Sequence, residues 1–361
     1  MTAVMSTTQR EPGAVSEAPE ARSELASDRA PAGRVSRPAA RERIKMAGGQ
    51  ERILRRRIKS VESTKKITRA MELIAASRIV KAQARVHAAQ PYAEGITDVV
   101  RNLQRASGGS NSALLTPRAE VRRVANIVIA ADRGLCGGYN STVIRAAERD
   151  MRGQVTAGRE NALVTVGRKA EGYFRFRDYP IDAGFAGFSD SPTYEDARRV
   201  ASAVVGGFES GDIDRVQLVY TRFISAGRQE VVVEALLPLE SDEVTAQATE
   251  PSGEPTADYE FEPNPETILE TLLPRYTESR VYAALLNAAA SEHASRQRAM
   301  KAATDNAEEL ILTYRRRMNR ARQDSITTEI MEIVGGAEAL SQGAGDAHVD
   351  AHDAEYYDKT A

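Results

Sequence analysis

The sequence predicts an α/β protein in which two long terminal helices flank one central α/β domain. Apolar residues recur at helical spacing near both ends of the 361-residue chain, whereas short apolar runs alternate with helical segments in the middle. Aromatic residues make up only 5% of a sequence that is 42% hydrophobic, and an all-β sandwich normally uses more of them. We therefore expect long helices with one modest sheet.

Residues 1–45 are predicted to be a disordered N-terminal extension. They are rich in Ala, Pro, Glu, Ser and Arg and show neither helical nor strand periodicity. They also lack the apolar stretch of a secretory signal. A different composition begins at Met46, so the folded part of the chain is expected to start there.

The first long helix is predicted over residues 46–106. Between residues 50 and 105, Pro91 and Gly95 are the only proline and glycine, so a helix is permitted almost throughout. Apolar residues recur three or four positions apart in a narrow stripe, which is typical of a coiled coil. The stripe contains Leu54, Ile58 and Val61 and then, shifted in phase, Ile67, Met71 and Ile74.

The central domain is predicted over residues 118–265. Strands that alternate with helices indicate a layered, Rossmann-like α/β domain with a largely parallel sheet, whose last two strands form a candidate hairpin. The predicted strands are 124–131, 162–167, 216–223 and 230–239, and the predicted helices are 139–152, 169–176 and 193–208. Residues 241–265 are acidic and rich in Pro, Gly and Thr, so they are predicted to form a loop.

The second long helix is predicted over residues 266–340, followed by an acidic flexible tail at 341–361. Pro274 is expected to kink or restart this helix, and Gly335 with Gly336 is expected to end it. The apolar positions of this helix also recur three and four residues apart. Because both terminal helices carry an apolar seam, we expect them to form a long antiparallel coiled coil.

The segment 132–140, DRGLCGGYN, connects a predicted strand to a predicted helix. Its glycines could present backbone amides to a phosphate, but it matches neither the P-loop nor the dinucleotide fingerprint. A catalytic Cys136 would need a nearby base, and all four His residues lie outside the central domain. A tight structural connection is the favoured interpretation, and a phosphate-binding enzyme is kept as an alternative.

Metal and cofactor sites are not expected. The single Cys cannot form an internal disulfide or an all-thiolate zinc site, and four His are too few to suggest a metalloprotein. His348 and His352 lie four residues apart among acidic residues, where a solvated tail is favoured over a metal site. No run of about 18 apolar residues is present, so no membrane span is expected.

Positive charge is concentrated in the two long helices, although the formal net charge is -2. Residues 51–85 contain eleven Lys and Arg against three acidic residues, which is typical of a contact with nucleic acid, an anionic membrane or an acidic protein. The arginines at 55–57 and 315–317 resemble phosphate-binding clusters, but neither precedes a clean Leu heptad. A rod inside an acidic-lined protein sleeve is favoured, and a nucleic-acid-binding coiled coil is the second hypothesis.

Three motifs, in order, resemble those of the gamma subunits of rotary, F-type proton-translocating ATP synthases. Residues 58–77, IKSVESTKKITRAMELIAAS, resemble the first helix of that family, and DRGLCGG at 132–138 resembles its central-domain motif. Residues 299–307, AMKAATDNA, and 319–330, NRARQDSITTEI, resemble its C-terminal helix. The resemblance covers residues 46–340, and a similarity between coiled coils alone would not reproduce the middle motif.

The resemblance implies that the protein is the central-stalk rotor shaft of an ATP synthase. In that family the terminal helices stand inside a hexamer of alpha and beta subunits, and the α/β domain lies at the foot beside the epsilon subunit and the c-subunit ring. Proton flow turns ring and shaft together and drives the catalytic sites through ATP synthesis, or hydrolysis in reverse. The resemblance also implies no catalytic, cofactor or metal site in this chain, no nucleic-acid partner, and a peripheral position on the cytoplasmic side of the cell membrane.

The resemblance further implies roles for single positions. These roles are contact with the beta subunits near the shaft tip, an influence on coupling efficiency, and proximity to the c ring. The beta-contact positions are Arg322 and Gln323, with Thr327 and Glu329 in the same zone, the coupling positions are Met71 and Arg296, and the c-ring position is Tyr259.

Overall fold

Two long helices and a five-stranded sheet dominate the computed structural model, which describes residues 37–106, 112, 114–239, 262 and 264–346. In chain order the elements are α1 (Arg37–Ala106), β1 (Arg123–Ile129), α2 (Tyr139–Thr156), β2 (Glu160–Val166), α3 (Arg168–Phe176), β3 (Ala183–Phe185), α4 (Tyr194–Ser210), β4 (Arg215–Phe223), β5 (Gln229–Leu237) and α5 (Pro265–Asp346). Gln50–Arg322 forms one unit, and the chain outside those limits forms a second.

Both long helices extend beyond their predicted limits. α1 begins at Arg37 instead of residue 46, with Pro38 in its first turn, where a helix tolerates proline. α5 continues through Pro274 without a restart and through both glycines to Asp346, so the predicted stop at Gly335 is wrong. A glycine costs a helix only about 1 kcal/mol, and strong helix formers follow this pair. The prediction of disorder is therefore wrong for residues 37–45, and that of a flexible tail is wrong for residues 341–346. Residues 1–36, most of the predicted loop at 241–265 and the tail beyond residue 346 lie outside the described residues.

The sheet has the strand order β3-β2-β1-β4-β5, and all pairings are parallel except that of β4 with β5. The prediction of a largely parallel sheet is therefore confirmed, and so is the hairpin at its end. The sequence pattern missed β3 because three residues are too few to display a strand period. β1 lies at the centre of the order, so the loop that follows it emerges from the middle of the sheet edge.

Helices cover both faces of the sheet, as a parallel sheet requires. Along β1, Ala125, Ile127 and Ile129 belong to the core on one face, and Val128 belongs to the core on the other. The first core includes side chains of α4 and of both long helices, and the second includes side chains of α2 and α3. The long helices are thus built into the α/β domain instead of being attached to it by linkers.

α1 and α5 run in opposite directions where they contact each other within Gln50–Arg322. Polar pairs join them, and the residue numbers of the pairs rise along α1 as they fall along α5. The pairs are Glu62 with Arg315 (2.8 Å), Lys65 with Glu308 (3.1 Å) and Thr68 with Thr304 (2.9 Å). The paired stretch of α5 buries Ala307 and Ile311, and α1 buries Ala75, Ile79 and Ala82 just beyond its own paired stretch.

Gly167, between β2 and α3, leaves no room for a side chain. Its φ is +94°, and a Cβ atom there would lie 2.1 Å from the carbonyl oxygen of Ala130. We expect Gly167→Ala to lower the free energy of unfolding by at least about 3 kcal/mol, because rigid backbone must move and φ is unfavourable. Urea denaturation of the purified chain measures this effect.

The matched control is Gly172→Ala in the interior of α3, where a Cβ would meet nothing within 4 Å. Alanine is the better helix former, so this change should stabilise the chain by up to about 1 kcal/mol. Equal effects of the two substitutions would contradict the structural account of Gly167.

Candidate functional site

The loop 132–138, which follows the central strand, meets α1, α5 and the turn after β3 in one place. We call this place the junction and define it by Asp132, Asp190, Glu292, His293 and Arg296. Leu135 and Gly137 in the loop have positive φ values of 62° and 59°. A Cβ atom on Gly137 would lie 3.6 Å from the side chain of Ala299 on α5, so loop and helix are in close approach. The prediction of a tight strand-to-helix connection agrees with this geometry.

Asp132 fastens the loop to the α/β domain. Its carboxylate accepts hydrogen bonds from the backbone amides of Arg168 (3.1 Å), Gly187 (2.9 Å) and Ser189 (3.0 Å). Burial raises the pKa of this carboxyl, but the hydrogen bonds from Ser189, Gly187 and Arg168 together outweigh burial, so that the pKa lies below its usual value. The ionised side chain therefore holds together segments that follow β1, β2 and β3.

Arg296 and Glu292 form a buried ion pair on adjacent turns of α5. Arg296 Nη2 lies 2.6 Å from Glu292 Oε1, and the side chains are only 10% and 2% exposed. The same Nη2 lies 3.4 Å from the carbonyl oxygens of Arg133 and Gly134. Burial raises the pKa of Glu292 even though the charge of Arg296 opposes this shift. The pair thus adds a polar contact between α5 and the loop to the close approach of Gly137 and Ala299.

His293 is held as a neutral ring by its two neighbours. Nε2 lies 3.0 Å from the carbonyl oxygen of Asp190, which only accepts, so Nε2 carries the proton. Nδ1 lies 3.5 Å from Arg296 Nη1, which only donates, so Nδ1 is unprotonated. Burial is the main cause of a lowered pKa at this ring, and the charges of Arg296 and Arg78 lower it further. Arg78 of α1 also forms an ion pair with Asp190, which brings the third element to the junction.

Cys136 and Tyr139 at the end of the loop have structural contacts. The thiol is 1% exposed and burial raises its pKa, so it stays protonated, and Asn140 Nδ2 lies 3.1 Å from its sulfur. The Tyr139 hydroxyl donates to the carbonyl oxygen of Ala288 on α5 at 3.1 Å. Both ring nitrogens of His293 are engaged, so this ring does not provide the free base that a cysteine nucleophile needs.

The residues singled out in the sequence lie in different environments. Arg296 is buried in the junction, and Met71 is half-buried on α1. The remaining described positions, Arg322, Gln323, Thr327 and Glu329, are exposed on α5. Arg322 is 26 residues along the helix from Arg296, or roughly 40 Å at 1.5 Å per residue. Tyr259 lies outside the described residues.

Sequence reasoning did not single out Asp190, Glu292 or His293, and it included Asp132 only as part of the motif at 132–138. The spacing of Glu292 and Arg296, four residues apart, is the one signal that could have indicated an ion pair. The partners of Asp132 and His293 come from distant parts of the chain, so no local pattern contains them.

Within the described ranges, no group of three or more His, Cys, Asp and Glu side chains is arranged to hold a metal ion. No helix in the same part of the chain combines the length and apolar character needed to cross a bilayer.

Proteins that are named ATP synthase gamma chain align with most of this sequence. A family model described as ATP synthase matches residues 50–340. The ATP synthase gamma chain of Parafrankia sp. is 53% identical over 303 residues, which cover 82% of this chain and 99% of the relative. The ATP synthase gamma chain of Acidothermus cellulolyticus is 50% identical over 297 residues, which cover 81% of this chain and 98% of the relative. The chain belongs to the ATP synthase gamma chain family.

Chains in solved ATP synthase structures share the fold. The central stalk and c-ring structure of the Tetrahymena thermophila mitochondrial ATP synthase contains a chain with a TM-score of 0.50 and 26% identity, covering 66% of this chain and 99% of that one. A chain of the Euglena gracilis mitochondrial ATP synthase has a TM-score of 0.56, and the match covers 86% of this chain and 100% of the Euglena chain. At 17% identity, this match shows only that the two folds are alike. The resemblance inferred from the three sequence motifs is confirmed.

The neutral His293 predicts a pH dependence of stability. In the unfolded chain this ring takes up a proton near its ordinary pKa of about 6.5, whereas the folded chain takes it up only at lower pH. Between these two values the unfolded state binds more protons, so the free energy of unfolding falls as the pH is lowered. Thermal unfolding at pH 7.5 and pH 5.5 should show that His293→Gln, which removes the titration, reduces this loss of stability. An unchanged pH dependence in the variant would contradict the assignment of a neutral ring.

Proposed function

We propose that this chain is the central-stalk rotor shaft of an F-type ATP synthase and couples proton flow through the c ring to the catalytic alpha and beta subunits. The observation that carries the proposal is the ATP synthase family match over residues 50–340 with relatives named ATP synthase gamma chain, on a fold in which both terminal helices continue out of one α/β domain. The family makes the chain a subunit of the ATPase complex. The proposal adds that the chain has no active site of its own.

The shaft is an antiparallel coiled coil of α1 and α5. Two observations support this assignment: polar pairs join the two helices in opposite directions, and both helices bury small and apolar side chains near these pairs. Their outer surface is unusual for a solvated rod, because large apolar side chains are about half exposed among basic ones. Examples are Ile67 (58%), Leu73 (58%), Ile74 (54%) and Leu312 (49%). Such a surface suits a protein sleeve, which in this enzyme is the hexamer of alpha and beta subunits.

Contacts that differ between the subunits of the hexamer explain how the shaft acts on catalytic sites that lie in other chains. Opposite sides of the two-helix rod present different side chains, so each orientation of the rod stabilises a different set of conformations in the surrounding subunits. Rotation then shifts each catalytic site in turn, because a partner shifts an equilibrium only by its differential affinity for the two states. Arg322, Gln323, Thr327 and Glu329, all exposed on α5, are the proposed beta-contact residues, and Met71 and Arg296 are proposed to influence coupling.

The α/β domain is the foot of the shaft, and its partners are the c ring and the epsilon subunit. Its proposed position is peripheral to the cell membrane on the cytoplasmic side. Tyr259 is proposed to lie near the c ring.

The proposed shaft contact predicts a position-specific cross-link to the beta subunit. A photoreactive amino acid at Gln323, in the whole enzyme in membranes, should give an adduct of the gamma and beta chains on illumination. The covalent link should abolish most ATP-driven proton transport while nucleotide binding persists, because rotation and not binding is blocked. Gel mobility, mass spectrometry and a pH-sensitive dye in inverted vesicles measure these outcomes.

The matched control carries the same photoreactive group at Glu120, an exposed position in front of β1. It should give no beta adduct and leave proton transport intact. Recovery of the chain without alpha and beta subunits, or transport that persists after cross-linking at Gln323, would contradict the proposed function.

A further inference from the structure

In the junction, Arg296 of the shaft helix α5 contacts both its own helix and the loop 132–138 of the foot. Arg296 pairs with Glu292 on α5 at 2.6 Å, and it lies 3.4 Å from two carbonyl oxygens of the loop 132–138. The pair lies beyond the stretch from Leu269 to Ala288 in which α5 contributes to the core on the sheet. Arg296 thus connects helix and foot at a place that the hydrophobic core does not reach.

The loop that Arg296 contacts is attached to the sheet through Asp132. Asp132, next to Arg133 in the loop, accepts hydrogen bonds from backbone amides that follow β2 and β3. Displacement of α5 at Arg296 is therefore transmitted through the loop to three parallel strands. Other hydrogen bonds also join α5 to the foot: the Tyr139 hydroxyl donates to the carbonyl oxygen of Ala288, Ser291 donates to that of Thr221, and Arg298 donates to those of Ala226 and Gly227. These bonds reach α2, β4 and the turn after β4, whereas Arg296 reaches the loop 132–138.

Glu292 determines where the Arg296 side chain lies. Among the described groups in contact with this guanidinium, the Glu292 carboxylate is the negatively charged one, while His293 Nδ1 and the two loop carbonyls are neutral acceptors. A buried guanidinium without a carboxylate partner is strongly unfavourable, and an arginine side chain is long enough to turn toward water instead. Loss of the Glu292 charge would therefore release Arg296 from the loop.

We propose that Glu292 is a positioning residue for coupling, because it holds Arg296 on the loop and so makes the shaft helix and the foot turn as one body. This inference rests on the proposed rotor function. Without the pair, the core contacts of α5 remain, but the loop 132–138 and the strands that it joins yield under load, so that ATP hydrolysis is incompletely matched by proton transport. The ATPase sites are untouched, so hydrolysis itself continues.

The test measures protons transported per ATP hydrolysed in inverted vesicles that contain the complete enzyme. Glu292→Gln keeps the size of the side chain and removes its charge. We expect it to lower this ratio by roughly two-fold or more while the ATPase rate stays near that of the wild type. Glu292→Asp keeps the charge and should recover part of the ratio.

A matched control separates positioning from general destabilisation. Glu148 is also a buried carboxylate, 10% exposed and paired with Arg152 and Arg177, but its partners among the described residues lie on α2 and around α3. Glu148→Gln should lower the thermal stability of the foot and leave the coupling ratio unchanged. If both Glu→Gln variants lower stability and neither changes the ratio, Glu292 is merely structural and the proposal is overturned.

A double-mutant comparison tests whether Glu292 acts through Arg296. Arg296→Gln should lower the ratio as Glu292→Gln does, and the double variant should be no worse than either single one, since both changes remove the same contact. Additive losses would show that the two residues act independently and would overturn the proposal.

If a variant assembles poorly into the complete enzyme, amide hydrogen exchange in the isolated full-length chain tests the positioning role directly. In the full-length chain, amides of residues 133–138 should exchange several-fold faster in Glu292→Gln than in the wild type or in Glu148→Gln. Unchanged exchange in this loop would overturn the positioning role. Failure of the proposed function is distinguishable, because the wild-type enzyme itself would then transport no protons when it hydrolyses ATP.

Discussion

The burial of α5 against the central sheet is the interaction on which the rest of the structure depends. Leu269, Leu273, Val281 and Leu285 are at most 2% exposed and share one core with β1, β2, β4 and α4. Each such side chain contributes about 1.5–3 kcal/mol when it is removed from water. Because an α-helix is stiff over this length, fixing one stretch of α5 on the sheet also fixes the direction in which the following turns leave the domain. Ile96, Val100 and Leu103 do the same for α1.

The junction adds directional contacts where this core ends. Apolar contacts hold two surfaces together but resist sliding weakly, whereas a guanidinium bound between a carboxylate and backbone carbonyls fixes orientation as well as distance. Two carboxyls there have opposite pKa shifts for a physical reason. Asp132 accepts several backbone hydrogen bonds, which lower its pKa, while Glu292 is more deeply buried and has one cationic partner, so that burial prevails.

Sequence periodicity was sufficient for most elements of the fold. Apolar runs flanked by turn residues predicted β1, β2, β4 and β5, and helical spacing predicted all five helices. The misses have simple causes: β3 is too short to show a period, and the glycines at 335 and 336 are outweighed by the helix formers around them. For the site, one motif drew attention to the loop 132–138 and the family resemblance drew attention to Arg296, but neither gave a partner for these residues.

The sequence by itself determined the fold class, the position of the long helices and, through three motifs, the family. These properties follow from local spacing and from short runs of residues that are adjacent in the chain. Only the tertiary structure decided which groups meet at the junction. Asp132 contacts the amide of Ser189, His293 contacts the carbonyl of Asp190, and Arg296 contacts the carbonyl of Arg133. Each of these contacts joins a side chain to a backbone atom more than fifty residues away, and because every residue has the same backbone groups, no sequence pattern specifies the partner.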